Sequence, residues 1–171
     1  MKWALMVLGA LVALVIVAAV VGLFLPKGHV ATRTVGIDKP PDEVWAAITD
    51  FAAVPQWFDE IKSSERIADI NGHPAWRENF GGFTADMETT EWDPPRHLKR
   101  EVHSGSAGFR GSWTFDLAPA DGGARLTITE AGEVDNPIFR LMTRLMDQTA
   151  TINKYTAALG RRLGTDVEAR D

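Results

Sequence analysis

Two charged residues, Arg100 and Glu130, fall where the sequence predicts the inner face of a β-sheet. Alternation places Glu130 on the same strand face as Leu126 and Ile128, and Arg100 on the same face as Leu98. A buried carboxylate is costly unless it is paired, hydrogen-bonded or hydrated. A basic and an acidic group on two inner faces can pair across the sheet, which predicts a polar anchor in a mostly apolar cavity. A β-bulge in either strand would instead turn one of the two outward.

The same pair defines the available catalytic chemistry. In a dry pocket Glu130 could have a raised pKa and act as a general base, with Arg100 holding an enolate or a carboxylate. An adjacent Arg100 would, conversely, keep Glu130 ionised and occupied. The chain has no cysteine, no serine with an evident base, no nucleophile elbow, no phosphate loop and no dinucleotide fingerprint. No catalytic residue is therefore assigned beyond the candidate Glu130.

Metal, cofactor and nucleic-acid chemistry have little support in the sequence. The four histidines, His29, His73, His97 and His103, lack the close spacing of metal ligands, and alternation turns His97 and His103 outward. We therefore predict no metal site and no cofactor. The net charge of −5 argues against a nucleic-acid partner, which requires a basic surface.

Apolar side chains of the kind that line ligand pockets accompany the charged pair. The predicted inner faces carry Met87, Trp113 and Phe115, and a helix near the C-terminus adds Met142 and Met146. Aromatic rings and flexible methionines suit a pocket for a hydrophobic small molecule, although they are equally common in a filled core. The predicted ligand-binding residues are Met87, Arg100, Trp113, Phe115, Glu130, Met142 and Met146.

The elements that must position these residues follow in a simple order. A strand over 30–37 precedes a helix that begins at the Pro40-Pro41 pair, and a second short helix is predicted around 54–58. Six strands then run from 61 to 132, separated by turn sequences such as Asn71-Gly72, in an antiparallel meander that makes a seven-stranded sheet. One long helix follows the predicted N-cap Asn136 and stops at Gly164, after which the polar tail is expected to fray.

The N-terminus predicts a membrane anchor. Residues 3–25 carry no charged or strongly polar side chain, and 23 helical residues span roughly 34 Å, close to the thickness of a bilayer's hydrocarbon core. A cleaved signal peptide is the alternative, but its apolar region is usually shorter. We therefore predict an anchor over 1–26 and a domain over 27–171, joined by a linker so short that the domain lies at the membrane surface. The side of the membrane is poorly determined; a domain outside the cytoplasm is favoured.

The chain as a whole resembles a known superfamily. The segments "PPDEVWAAITDFAAVPQWFDEI", "GSWTFDLAPADGGARLTITEAGEV" and "NPIFRLMTRLMDQTATINKYTAALGRRLG" resemble the polyketide cyclase/dehydrase-like branch of the START and SRPBCC superfamily. This resemblance implies an α+β helix-grip fold, in which a curved sheet wraps around a long C-terminal helix. It also implies a cavity for lipids, sterols, polyketides or hormones. The membrane anchor departs from the usual soluble members.

Three functions are compatible with these features. The first is a membrane-tethered binding protein for a lipid or isoprenoid-like molecule, with the Gly105–Gly108 loop and the start of the last helix controlling entry. The second is a cyclase or dehydratase that uses Glu130. The third is an interaction module with a filled core, which a packed interior would favour over the other two.

Overall fold

The computed structural model describes residues 2–105 and 109–169 and shows an α+β fold. Four α-helices and eight strands follow each other, with a 3-10 turn at Val54–Gln56. Their bounds in chain order are α1 Lys2–Phe24, β1 Gly28–Ile37, α2 Pro41–Thr49, β2 Ser63–Ile70, β3 His73–Asn79, β4 Thr84–Asp93, β5 His97–Gly105, β6 Phe109–Ala120, β7 Gly123–Val134, α3 Pro137–Arg144, α4 Ala150–Leu163 and β8 Val167–Ala169.

The strands form one antiparallel sheet in the order β2-β3-β4-β5-β6-β7-β1-β8. The six-strand meander and the return of β1 to the side of β7 match the predicted arrangement, but the sheet has eight strands where we predicted seven. The additional strand lies in the tail that we expected to fray. Gly164 ends α4 in the left-handed conformation, and the chain then reverses so that Val167 packs on Gly160 and β8 pairs with β1.

The predicted Asn71-Gly72 hairpin is confirmed. Both residues have positive φ, 51° and 83°, which is the backbone that a tight two-residue turn between twisted strands requires. The turns at 81–82, 93–95 and 121–123 also join antiparallel neighbours, as predicted. The meander therefore depends on local turn chemistry that the sequence shows directly.

The single long C-terminal helix that we predicted is divided into α3 and α4. Between them, one side-chain oxygen of Asp147 accepts hydrogen bonds from both the backbone N–H and the hydroxyl of Thr149, at 2.8 and 2.7 Å. Such a local bond competes with the helical ladder and favours a new helix start. Helix α4 contributes Ile152, Tyr155 and Leu159 to the core against the sheet.

One half of the space between sheet and helices is filled. The fully buried side chains Leu98, Leu126, Ile128, Ile152 and Leu159 come from two strands and α4. Helix α2 closes this half with Val44 and Ile48, which are also buried. We call this region the closed end.

The N-terminal helix α1 lies against the domain only at its C-terminal end. Its 23 residues are apolar apart from Lys2, and nearly all of them are exposed. It is long and apolar enough to cross a membrane, a property that signal sequences share. Gly22, its one buried residue, packs on the backbone of Pro137 at the start of α3.

Candidate functional site

Arg100 and Glu130 both lie on the inner face of the sheet, as predicted, but they are not neighbours. The register pairs Arg100 on β5 with Trp113 on β6, and Trp113 with Glu130 on β7. Strands are about 4.8 Å apart, so two strand spacings and one indole separate the two charges. The predicted ion pair between Arg100 and Glu130 is therefore wrong.

Arg100 is paired with Glu78 instead. One Arg100 nitrogen donates to the Glu78 carboxylate at 2.6 Å, and the two side chains are 8% and 3% exposed. The guanidinium also lies over the Phe51 ring, 4.0 Å from its centroid. The prediction failed because Arg100 on β5 reaches past the intervening strand β4 to Glu78 on β3. Arg100 therefore lies at the closed end, together with Phe51.

Sequence reasoning did not identify Glu78, although the sequence contains a signal. Glu78 alternates with Trp76 and Phe80, two aromatic residues that pack against the core. A carboxylate between two inward aromatic rings is a candidate for an interior partner.

A cavity of about 490 Å³ opens beside Glu130. It lies between the start of β6, the end of β7, the start of β1, and the segment from α3 to the start of α4. Its lining includes Trp113, Glu130 and Met146 from our predicted set, together with His29 and Phe139, which we did not predict. We call this region the open end.

Two glycines form part of the wall of the open end. His29, Gly132 and Gly111 lie side by side on the inner face of β1, β7 and β6. A Cβ built on Gly132 would approach within 2.3 Å of the His29 ring, and one on Gly111 would meet the Ala131 carbonyl oxygen at 2.7 Å. The ring of His29 therefore fits in the cavity wall only because position 132 has no side chain.

Trp113 separates the cavity from the closed end. Its ring contacts Tyr155 on α4, with centroids 5.7 Å apart, and Phe115, with centroids 6.0 Å apart. Phe115 and Tyr155 are themselves buried. The indole is thus held from behind while its remaining surface lines the cavity.

Glu130 is the unbalanced charge of the site. Its Oε2 is buried and has no hydrogen-bond partner among the residues that the structure describes, and burial raises the pKa of its carboxyl. The nearest basic group is His29, whose Nε2 is 3.9 Å from Oε1, too far for a hydrogen bond. Burial, and then the positive charge of Arg144, lower the pKa of His29. Both shifts favour the neutral form of the group concerned, because burial disfavours a charge.

The other predicted site residues lie elsewhere. Met87 is buried, and Phe115 belongs to the core of the closed end. Met142 is exposed on α3. The lining residues of the cavity include none of these three, and they do not include Arg100. Three positions of the predicted Gly105–Gly108 entry loop, 106–108, fall outside the described residues. Whether any of the seven residues contacts a ligand remains a prediction.

His97 and His103 face outward, as alternation predicted. His97 faces outward and contacts Asp116 and Glu91 at 2.7 and 2.9 Å, and these contacts raise the pKa of its imidazole. His103 lies 3.4 Å from Glu88 on the same outer face. Within 2–105 and 109–169, no group of three or more histidine, aspartate or glutamate side chains could hold a metal ion.

Sequence comparison assigns the family. Residues 28–165 match the profile described as polyketide cyclase/dehydrase and lipid transport, so the chain belongs to this family. The fold and the cavity agree with a ligand-binding domain of the SRPBCC and START type. A comparison with curated proteins gave no match.

Solved structures with the same fold extend over most of the chain. A START superfamily protein from Mycobacterium smegmatis superposes with a TM-score of 0.64 at 20% identity, covering 80% of this chain and 97% of that one. A protein from Thermus thermophilus gives 0.63 at 23%, covering 80% and 96%. The ZhuI aromatase/cyclase from a Streptomyces species gives 0.61 at 16%, covering 78% and 93%. At these identities the likeness establishes the fold alone.

Proposed function

We propose that the chain is a membrane-tethered binding protein for a lipid or isoprenoid-like molecule with an oxygen-bearing polar end. The observation that carries this proposal is the composition of the open end. A cavity of about 490 Å³ has the Trp113 indole on its wall and a single unpartnered carboxyl, Glu130, inside it. Pockets of this size that combine apolar walls with placed polar groups are typical of small-molecule sites. The lining here also includes the charged residues Arg110, Glu133, Asp135 and Asp147.

The polar groups suggest how such a ligand is oriented. In its protonated form Glu130 donates one hydrogen bond, and 23% of its side chain is exposed, although Oε2 itself is buried. A hydroxyl or carbonyl oxygen at one end of the ligand supplies the missing acceptor. The apolar body then lies against Trp113 and Met146. A ligand with a permanent negative charge fits less well, because an ionised Glu130 would repel it.

The tether supports a ligand that comes from a bilayer. Helix α1 ends at Phe24 and β1 begins at Gly28, so three residues connect them and reach at most ~11 Å. We propose that residues 3–25 cross the membrane, with residues 27–171 as the binding domain outside the cytoplasm. The cavity would then stay close to a source of apolar molecules.

Binding of tritiated farnesol, an isoprenoid alcohol, tests the proposal. The full chain is immobilised in mild detergent, and affinity is measured by scintillation proximity. Loss of roughly 80 Å² of apolar contact in Trp113→Ala should cost about 2 kcal/mol, or about thirtyfold in affinity. The matched control is Trp92→Ala, because Trp92 lies at the far end of β4 and contacts Trp45 rather than the cavity. Equal affinities for wild type and Trp113→Ala would refute this assignment of the pocket.

A second candidate function is acid–base catalysis of cyclisation or dehydration. The raised pKa of Glu130 and the nearby His29 favour it: a neutral carboxyl protonates the leaving hydroxyl, and a neutral imidazole takes the α-proton as the C–O bond breaks and the double bond forms. A β-hydroxy ketone is the simplest test substrate, with loss of water as the readout. Glu130→Gln should retain farnesol binding and lose turnover. Unchanged turnover in this variant would exclude Glu130 as the catalytic group.

A further inference from the structure

Helix α3 and the residues after it carry apolar side chains that the domain does not bury. Phe139, Met142, Leu145 and Met146 are all more than half exposed, and Leu145 reaches 81%. We call these four side chains the apolar ridge. Phe139 and Met146 also line the cavity. A ridge of this kind beside a ligand site needs an apolar partner in the working state of the protein.

The packing of α1 on α3 identifies that partner. Gly22 contacts the backbone of Pro137 so closely that an added Cβ would lie 1.9 Å from its carbonyl oxygen. Ala18 and Ala19 are half-buried, whereas the preceding residues of α1 are exposed. Helix α3 therefore covers the last two turns of α1. A helix of about 34 Å fills a hydrocarbon core of about 30 Å, so those two turns lie at the lipid boundary.

The side chain of Arg140 on α3 connects α3 to α1 by hydrogen bonds. Its side chain is almost completely buried and donates four hydrogen bonds of 2.9–3.1 Å, two of them to the carbonyl oxygens of Gly22 and Leu25 at the end of α1. The other two go to the carbonyl oxygens of Val134 and Asp135, at the end of β7. The guanidinium thus satisfies carbonyls at the negative end of the α1 dipole and joins them to the sheet. The depth of α3 is consequently set by the depth of α1.

We propose that the apolar ridge lies in the lipid–water boundary beside α1, so that the mouth of the cavity opens onto the acyl chains of the bilayer. The ridge inserts as the apolar face of an interfacial helix does, to a depth of ~5–10 Å. Ligand then passes from lipid to cavity between Phe139 and Met146 without crossing water. The position of α3 follows from its contacts with α1; the passage of ligand rests on the proposed function.

Single-cysteine labelling of the full chain tests the position of α3. The chain contains no cysteine, so Leu145→Cys and Met146→Cys each provide one site for a nitrobenzoxadiazole fluorophore. The matched control is Asp121→Cys, in the β6–β7 turn at the opposite end of the same strands. Each protein is placed in phosphatidylcholine vesicles, with or without lipid that carries a spin label near the top of the acyl chain.

The expected result is a blue-shifted emission at 145 and 146 that the spin-labelled lipid quenches, because the ridge lies at the depth of the lipid-borne spin label. The label at 121 should be quenched by aqueous iodide and not by the lipid. Equal behaviour at 121, 145 and 146 would overturn the proposal. Farnesol binding by the protein labelled at 145, which is not a lining residue of the cavity, separates the two claims: lipid contact without binding refutes the proposed function alone, and binding without lipid contact refutes the position of α3 alone.

Discussion

Glu78 and Glu130 project from the same concave face of one sheet, and their surroundings differ completely. Glu78 lies at the closed end, where the Arg100 guanidinium neutralises it at 2.6 Å. Glu130 lies at the open end, where Oε2 has no partner among the described residues and Nε2 of His29 is 3.9 Å from Oε1. A carboxylate is tolerated in a sealed core when it is paired. An unpaired carboxyl is retained where water or a ligand can reach it.

The two ends also differ in side-chain volume. At the closed end Leu126 and Ile128 on β7 are completely buried against α4. Further along the same strand Gly132 carries no side chain, and the neighbouring β6 carries Gly111 beside it. One continuous hydrogen-bonded ladder thus supports both a filled core and a cavity. The choice between them is made by a few positions rather than by the backbone.

The largest effect should come from breaking the charge balance at the closed end. Arg100→Ala leaves Glu78 buried without a partner and should destabilise the fold by about 3–5 kcal/mol. Thermal unfolding of the full chain in detergent measures the loss. The double variant with Glu78→Leu and Arg100→Met removes both charges and should recover most of that stability. A double variant as unstable as the single one would mean that the loss does not come from the unpaired charge.

Truncation of apolar side chains should distinguish the two ends next. Leu126→Ala opens a hole in the closed end and should cost about 2–5 kcal/mol of folding stability. Met146→Ala, at the mouth of the cavity, should change stability by less than about 0.5 kcal/mol, because Met146 is mostly exposed. Chemical denaturation compares the two variants. Similar losses would show that the open end is packed as tightly as the closed end.

Filling the open end should have a smaller effect on the fold and a clear effect on binding. The Cβ of Gly132→Ala collides with the His29 ring, so the ring must move into the cavity, at a cost of about 1–2 kcal/mol in stability. We expect a severalfold weaker affinity for farnesol. The control is Gly82→Ala, where an added Cβ meets nothing within 4 Å. Unchanged farnesol affinity in Gly132→Ala would indicate that ligand does not occupy the space beside His29.

The smallest effect concerns the pH dependence of stability. Burial raises the pKa of Glu130 above its ordinary value of 4.5, so the folded protein resists ionisation of this carboxyl. The stability associated with its protonated form is complete below pH 4.5 and is lost as the pH rises through the raised pKa. Glu130→Gln cannot ionise. Its melting temperature relative to wild type should therefore increase with pH over that window and then level off.

The exposed Glu133 on the same strand provides the control for this measurement. Glu133→Gln removes a carboxylate that pairs with Arg110 at the surface. Surface ion pairs contribute little to folding stability, so the melting temperature of Glu133→Gln relative to wild type should not increase with pH in the same way. If the difference in melting temperature between Glu130→Gln and wild type stayed constant from acid to neutral pH, the raised pKa of Glu130 would be contradicted.

The success of sequence reasoning followed the range of the interactions involved. Alternation correctly placed Arg100 and Glu130 on the inner face, because side-chain direction in a strand depends on neighbours two residues apart. The partner of Arg100 could not be derived in this way, because Glu78 reaches it across an intervening strand. The break before α4 was missed because the long helical periodicity outweighed the Asp147–Thr149 bond. The cavity itself depends on Gly111 and Gly132, whose adjacency is a matter of strand register.

The three-residue connection between α1 and β1 has a consequence for how a ligand is found. With α1 in a membrane, as we propose, a domain held this close to the bilayer would meet its ligand by lateral diffusion in two dimensions and not by search through the surrounding solution. Tethering of this kind sets a high local concentration that further dilution of the protein does not change. Occupancy of the cavity would then follow the mole fraction of the ligand in the membrane. The fraction of protein with bound ligand would then depend on the lipid composition of the membrane.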